Sequence, residues 1–140
     1  MGFSKKRRGQ VSTEYLIIAG FLAFVIIVVL GVALFYSAGI KDRIRVYQLE
    51  SFANKIVSTS ESLFYSGEPS QATVKVYLPQ GVESIEFIEN SIIISMQTSS
   101  GLEKRAFSSN VPISGDIPAS WGTKKILVKV FQQHVVVSEV

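Results

Sequence analysis

The chain passes through successive hydropathy regimes, each with its own period. A short polar leader gives way to a run from Tyr15 to Ile40 that contains no Asp, Glu, Lys or Arg. The hydrocarbon core of a bilayer takes about 20 apolar residues in helical form, so this run crosses one with residues to spare. Past Ile40 the apolar positions thin to spacings of three, four and seven. Ile40, Ile44 and Tyr47 recur, then Val46, Leu49, Ala53, Ile56 and Leu63, while Asp42, Arg43, Glu50, Asn54, Lys55 and Glu61 take other faces. That spacing predicts an amphipathic helix continuing the apolar one. No proline or turn cluster interrupts residues 10–64, and at 1.5 Å per residue the composite helix reaches roughly 80 Å, its outer half lying against the rest of the chain.

Ser66, Gly67, Glu68 and Pro69 end the helical pattern with turn chemistry, after which β-branched residues dominate. Strands are predicted at Ala72–Leu78, Ser84–Ile88, Ser91–Gln97, Glu103–Ser108, Lys125–Phe131 and His134–Val140, with reversals at Asn90, at Ser99-Ser100-Gly101 and at Gln132-Gln133. Alternation in Thr73–Val76 and Lys125–Val130 gives each of these strands one covered and one wet face. Residues 110–122, with Pro112, Gly115, Pro118 and Gly122, read as a long loop containing Trp121, a loop aromatic that serves either as a partner contact or, the favoured reading, as a plug at the end of a small sandwich. The expected fold is therefore α+β: a long N-terminal helix, first membrane-spanning and then an amphipathic stalk, carrying a small antiparallel β-rich head. Its parts are residues 1–9, a basic leader; 10–40, the spanning helix; 41–65, the stalk; and 66–140, the head.

Charge changes this picture at one end only. The formal net charge of +3 suggests a basic protein, but Lys5, Lys6, Arg7 and Arg8 supply four of the 14 Lys and Arg, leaving ten against 11 Asp and Glu elsewhere. The head is thus close to neutral, and nucleic-acid binding is not indicated. Cations directly before an apolar span stay on the cytoplasmic side, which puts the N-terminus inside and the head outside. Lys41, Arg43 and Arg45 on the far flank, offset by Asp42, weaken this asymmetry without reversing it. A cleaved secretory signal has an apolar core of about 7–15 residues ending in a small-x-small site. This run is longer and ends without an A-x-A pattern, which leaves a plain signal anchor as the stronger alternative.

The junction between cations and span separates those readings. The segment Lys5-Lys6-Arg7-Arg8-Gly9-Gln10-Val11-Ser12-Thr13-Glu14-Tyr15-Leu16 resembles the class III signal peptide of archaeal type IV pilin-like proteins, a basic run and then Gln-x-Ser-x-Glu before apolar residues. Gln10, Ser12 and Glu14 match at the family spacing, and Gly9 precedes the expected cut. The family often carries Leu four residues after the Glu, where this chain has Ile18. The resemblance covers roughly the first 40 residues. It implies that a membrane-embedded prepilin peptidase cuts between Gly9 and Gln10 on the cytoplasmic side and leaves the span as the mature N-terminus. It also implies homo-oligomerisation through the N-terminal helices, and a pilus assembly ATPase and platform protein as partners.

The residues themselves fit that role. Gly9 lets the adjacent backbone enter a protease cleft in extended form. Ser12 or Thr13 is placed to cap the first turn of the span. A carboxylate at the edge of an apolar helix is costly and calls for a partner. Processing would supply one for Glu14, the new ammonium at Gln10, on the same helix or on a neighbouring subunit. Glu14 near a helix N-terminus also gains about 0.3–1 kcal/mol from the helix dipole. Ala19, Gly20, Ala23, Gly31 and Ala33 are compatible with close helix approach, although glycines are common in membrane helices generally.

Other chemistry finds little footing. Absence of cysteine removes disulfides, zinc thiolates and thiol nucleophiles together. His134, the single histidine, has no acidic cluster beside it in sequence, and no phosphate loop, catalytic carboxylate pair or nucleophile motif is present, so neither enzyme activity nor a metal or cofactor is expected. Asn54, Asn90 and Asn110 start no N-x-Ser/Thr sequon. The expected function is a structural subunit, major or minor, of a type IV pilus-like surface filament for adhesion or attachment. Its precursor sits in the cell membrane and its mature form in the filament. The alternative is a single-pass anchored β module or pseudopilin that forms no long filament.

Overall fold

The computed structural model describes the backbone of residues 4–140 and the side chains of residues 10–140. The order of elements is α1 (Ser4–Ser66), β1 (Gln71–Leu78), β2 (Val82–Ile88), β3 (Ser91–Thr98), β4 (Gly101–Ser108), β5 (Ile113–Asp116), β6 (Gly122–Phe131) and β7 (His134–Glu139). The chain is α+β, one long apolar N-terminal helix followed by a β-rich head. It divides into two compact units, Met1–Ile40 and Lys41–Val140.

In the first unit every described side chain from Gln10 to Tyr36 is exposed. Helicity there follows from a long run of aliphatic and aromatic residues without proline. Because α1 begins at Ser4, neither Ser12 nor Thr13 stands at its N-cap, correcting the capping role expected for them.

In the second unit the Lys41–Ser66 stretch of α1 shares one core with two sheets. Leu49, Phe52, Ala53 and Ile56 are fully buried, at spacings of three and four that place them on one helix face. Val46, Val57, Leu63 and Phe64 flank them. Ile40, Ile44 and Tyr47, grouped with this stripe on spacing alone, are exposed; the covered stripe instead runs through Phe52. Buried Ser60 donates its hydroxyl to the Ile56 carbonyl at 2.8 Å, which satisfies it inside the helix. Gly67 ends the helix in the left-handed region (φ +84°) and donates its N–H to the Phe64 carbonyl at 3.2 Å, the conformation that favours glycine after a last turn.

The four-stranded sheet runs β1-β6-β7-β5 and the three-stranded sheet β2-β3-β4. Six strands fall where alternation places them. The exception is β5, which lies inside the expected loop and pairs parallel with β7 in an otherwise antiparallel arrangement. Inner positions of both sheets complete the core: Ile126, Val128 and Val130 on β6, Val135 and Val137 on β7, Ile92, Ile94 and Met96 on β3. Trp121 is 65% exposed and plugs nothing; the same loop covers the core with buried Val111 and Ile117.

Polar ties bind the helix stretch to both sheets. Lys55 Nζ donates to the Lys75 carbonyl at 3.0 Å on the β1 side, and Arg105 Nη1 meets Glu50 Oε1 at 2.8 Å on the β4 side. The Asn110 amide donates to Glu61 Oε1 at 2.8 Å.

Candidate functional site

The feature that sets this chain apart from a soluble α+β domain is the N-terminal helix surface. Apolar side chains point in every direction around it between Tyr15 and Ile40, and all large ones are exposed, from Val25 at 39% to Phe35 at 83%. A helix apolar all round is stable only when covered on all sides, by a core, a bilayer or other helices. Fully covering one such side chain is favourable by about 1.5–3 kcal/mol, so water is the wrong solvent for this surface. By length and composition α1 is long and apolar enough to cross a membrane, and membrane anchoring is compatible with it.

Gln10, Ser12 and Glu14 lie on α1 immediately before that surface, and all three are exposed. Gln10 and Glu14, four apart, share a helix face, whereas Ser12 lies on the opposite side. Lys5, Lys6, Arg7, Arg8 and Gly9 lie outside the described side chains. Backbone at Gly9 and Gln10 is helical, so a cleft that takes an extended peptide must unwind it. Glycine lowers that cost, being about 1 kcal/mol poorer than alanine in a helix. Gly20 and Gly31, eleven residues or about three turns apart, fall on nearly one face, and a Cβ at either would meet nothing.

In the second unit, an open groove of about 420 Å³ lies between the helix and the β3–β4 hairpin, lined by Asp42, Arg43, Val46, Tyr47 and Glu50 on one side and Thr98, Ser100, Glu103 and Arg105 on the other. Its carboxylates are all engaged, while Arg43 stands exposed at its edge. Arg105 bridges Glu50 through Nη1 and Glu103 through Nε, each at 2.8 Å. Asp42 accepts a hydrogen bond from the Ser99 hydroxyl and another from the Ser99 amide at 3.0 Å. Those bonds, the hydroxyl's first, hold its carboxyl below the usual carboxylate range, helped slightly by Arg45 at 3.9 Å and opposed by partial desolvation. The groove therefore ties a hairpin to a helix through carboxylates that already have partners. Spacing along α1 carries no sign of it, because Asp42 and Glu50 meet partners 57 and 55 residues away.

Among the described residues no cluster of three or more His, Asp or Glu is placed to hold a metal ion. His134 sits half-buried beside Phe131, ring edge to ring face at 6.5 Å. No protein-family model, curated protein or solved structure matches this chain.

Proposed function

We propose that this chain is the precursor of a structural subunit of a type IV pilus-like surface filament of the archaeal kind, acting in attachment and without catalytic activity. The observation that carries the reading is an all-round apolar helix directly preceded by Gly9, Gln10, Ser12 and Glu14 in the class III signal pattern. The precursor sits in the cell membrane with Lys5 to Arg8 inside. A prepilin peptidase removes residues 1–9, and the freed helices exchange lipid for one another in a filament core while the β heads face outward. Glu14, exposed on the single chain, then pairs with the new ammonium of Gln10, in its own chain or in a neighbour.

Intact mass and N-terminal sequencing of protein from native membranes and from sheared surface material test this directly. The expected chain begins at Gln10, appears in the sheared fraction, and reverts to full length when Gly9 is replaced by a bulky residue. A chain that keeps Lys5 to Arg8 and never leaves the membrane would establish the plain anchored β module instead.

A further inference from the structure

The two sheets turn oppositely charged surfaces outward. Strand register places Lys75 directly opposite Lys125 on the outer face of the four-stranded sheet, and Lys129 four residues along β6 on the same face. All three are exposed. Like charges directly across a strand pair destabilise it, so this arrangement works against the isolated head. Outward on the three-stranded sheet, Glu86 faces away from the core, Glu83 stands at the β2 bulge and Glu89 at the β2–β3 turn, and again all are exposed. Among the described residues none of these six groups makes an ion pair. Each face has one counter-charge, Asp116 on β5 and Lys104 on β4, so the first stays cationic and the second anionic.

Both faces look away from the shared core, and one head therefore cannot bring its own lysines to its own glutamates. A second copy can. We propose that neighbouring copies dock head to head through these surfaces, the Lys75/Lys125/Lys129 face of one against the Glu83/Glu86/Glu89 edge of the next; the setting rests on the filament reading above. Two different patches meet, so the contact is heterologous and continues from copy to copy instead of closing a two-fold pair. Charge complementarity sets register and partner choice here more than affinity.

A chain without cysteine allows a direct test in full-length protein in cells. Two exposed outer-face positions that leave the six charges intact, Thr73→Cys on β1 and Ile88→Cys on β2, are expressed together on differently tagged chains and treated with a short bismaleimide. The expected product joins the Thr73→Cys chain to the Ile88→Cys chain, with little like-to-like product. Adding Lys125→Glu and Lys129→Glu to the first chain lowers it about tenfold, and adding Glu83→Lys and Glu86→Lys to the second restores it. About 1 M salt, where the screening length is about 3 Å, lowers it too. Restoration by the double reversal shows that the variants fold. Like-to-like product, or a mixed product indifferent to charge reversal, overturns the proposal. Loss of product that the glutamate reversals do not rescue also overturns it, and points to a different anionic partner on the lysine face. Sequencing the same samples separates the two ideas. Gln10-initiated, shear-released chains without the mixed product defeat this contact alone, while the mixed product on chains that all keep Lys5 to Arg8 and never leave the membrane defeats the filament reading and leaves the contact standing.

Discussion

Lys124 carries its ammonium to a side chain only 3% exposed, where Nζ donates to Ser120 Oγ at 2.9 Å and reaches both Glu139 carboxylate oxygens at 3.2 and 3.1 Å. Removing one partner of a buried pair leaves the other charge stranded, and the two ends are unequal here because Glu139 is about a third exposed. Glu139→Ala is expected to destabilise the head by about 3 kcal/mol, whereas Lys124→Met, which leaves a carboxylate that water can reach, costs under about 1 kcal/mol. Urea titration of the detergent-solubilised chain, followed by circular dichroism of the β signal, checks the order; a larger loss for Lys124→Met would overturn it. Asp42 behaves differently, being a surface latch. Its folded pKa lies below the ordinary 3.8, so the latch contributes fully above the ordinary carboxylate range and is lost as pH falls through the lowered folded value. Amide exchange at Ser99 should therefore be slower than in Asp42→Asn at neutral pH, and the two should converge in strong acid. Of these residues, alternation exposes Lys125 and Lys129 to a reader of the sequence. Lys124 is equally a lysine at an inward position, and nothing local distinguishes a satisfied buried lysine from a misplaced strand end.

At the scale of elements, β5 owes its place to a missing side chain. A Cβ on Gly115 would lie 2.1 Å from the Val137 carbonyl oxygen, closer than any contact can be. Gly115→Ala is expected to force β5 off β7 and cost about 1–3 kcal/mol, as overpacking does. It should raise amide exchange across Ile113–Asp116 and Val135–Ser138, the paired segments, while β2–β4 stay protected. Uniform exchange across both sheets would contradict a local effect. The same glycine explains why this strand is hidden in the sequence: Ile113-Ser114-Gly115-Asp116 offers one apolar residue and three turn formers, and its strand conformation comes from pairing with a partner 22 residues away. Longer strands are legible because Thr73–Val76 alternates, Lys125 and Lys129 bracket Lys125–Val130 with same-face polar positions despite the apolar Leu127 between them, and burial follows. The stalk is legible as a helix but only partly as a face. Ile40, Ile44 and Tyr47 repeat at helical spacing as regularly as Leu49, Phe52, Ala53 and Ile56 do, and periodicity alone does not say which stripe meets a sheet. Trp121 inverts its reading for a related reason, since Val111 and Ile117 from the same loop already fill the core.

For the whole molecule, the question is what finally covers the apolar helix, because lipid and sister helices suit it equally as solvents. Gly20 and Gly31 separate these possibilities. In the single chain a side chain at either position meets nothing, and glycine costs an isolated helix about 1 kcal/mol relative to alanine. An uncleaved anchor in lipid thus loses nothing, and gains helix stability, when both become leucine. Packed helices respond in the opposite sense, since small residues set how closely their backbones approach. Both glycines lie on nearly one face, so a double substitution closes one contact stripe instead of two separate ones. Under the filament reading proposed above, Gly20→Leu with Gly31→Leu should match the parent chain in processing at Gln10, membrane content and urea stability of the head. The shear-released fraction should fall about tenfold, equivalent to about 1.4 kcal/mol per subunit contact. Undiminished release would mean that these glycines face outward in the assembly. Equal loss of membrane content and released material would place the defect in insertion, before any helix meets its neighbour.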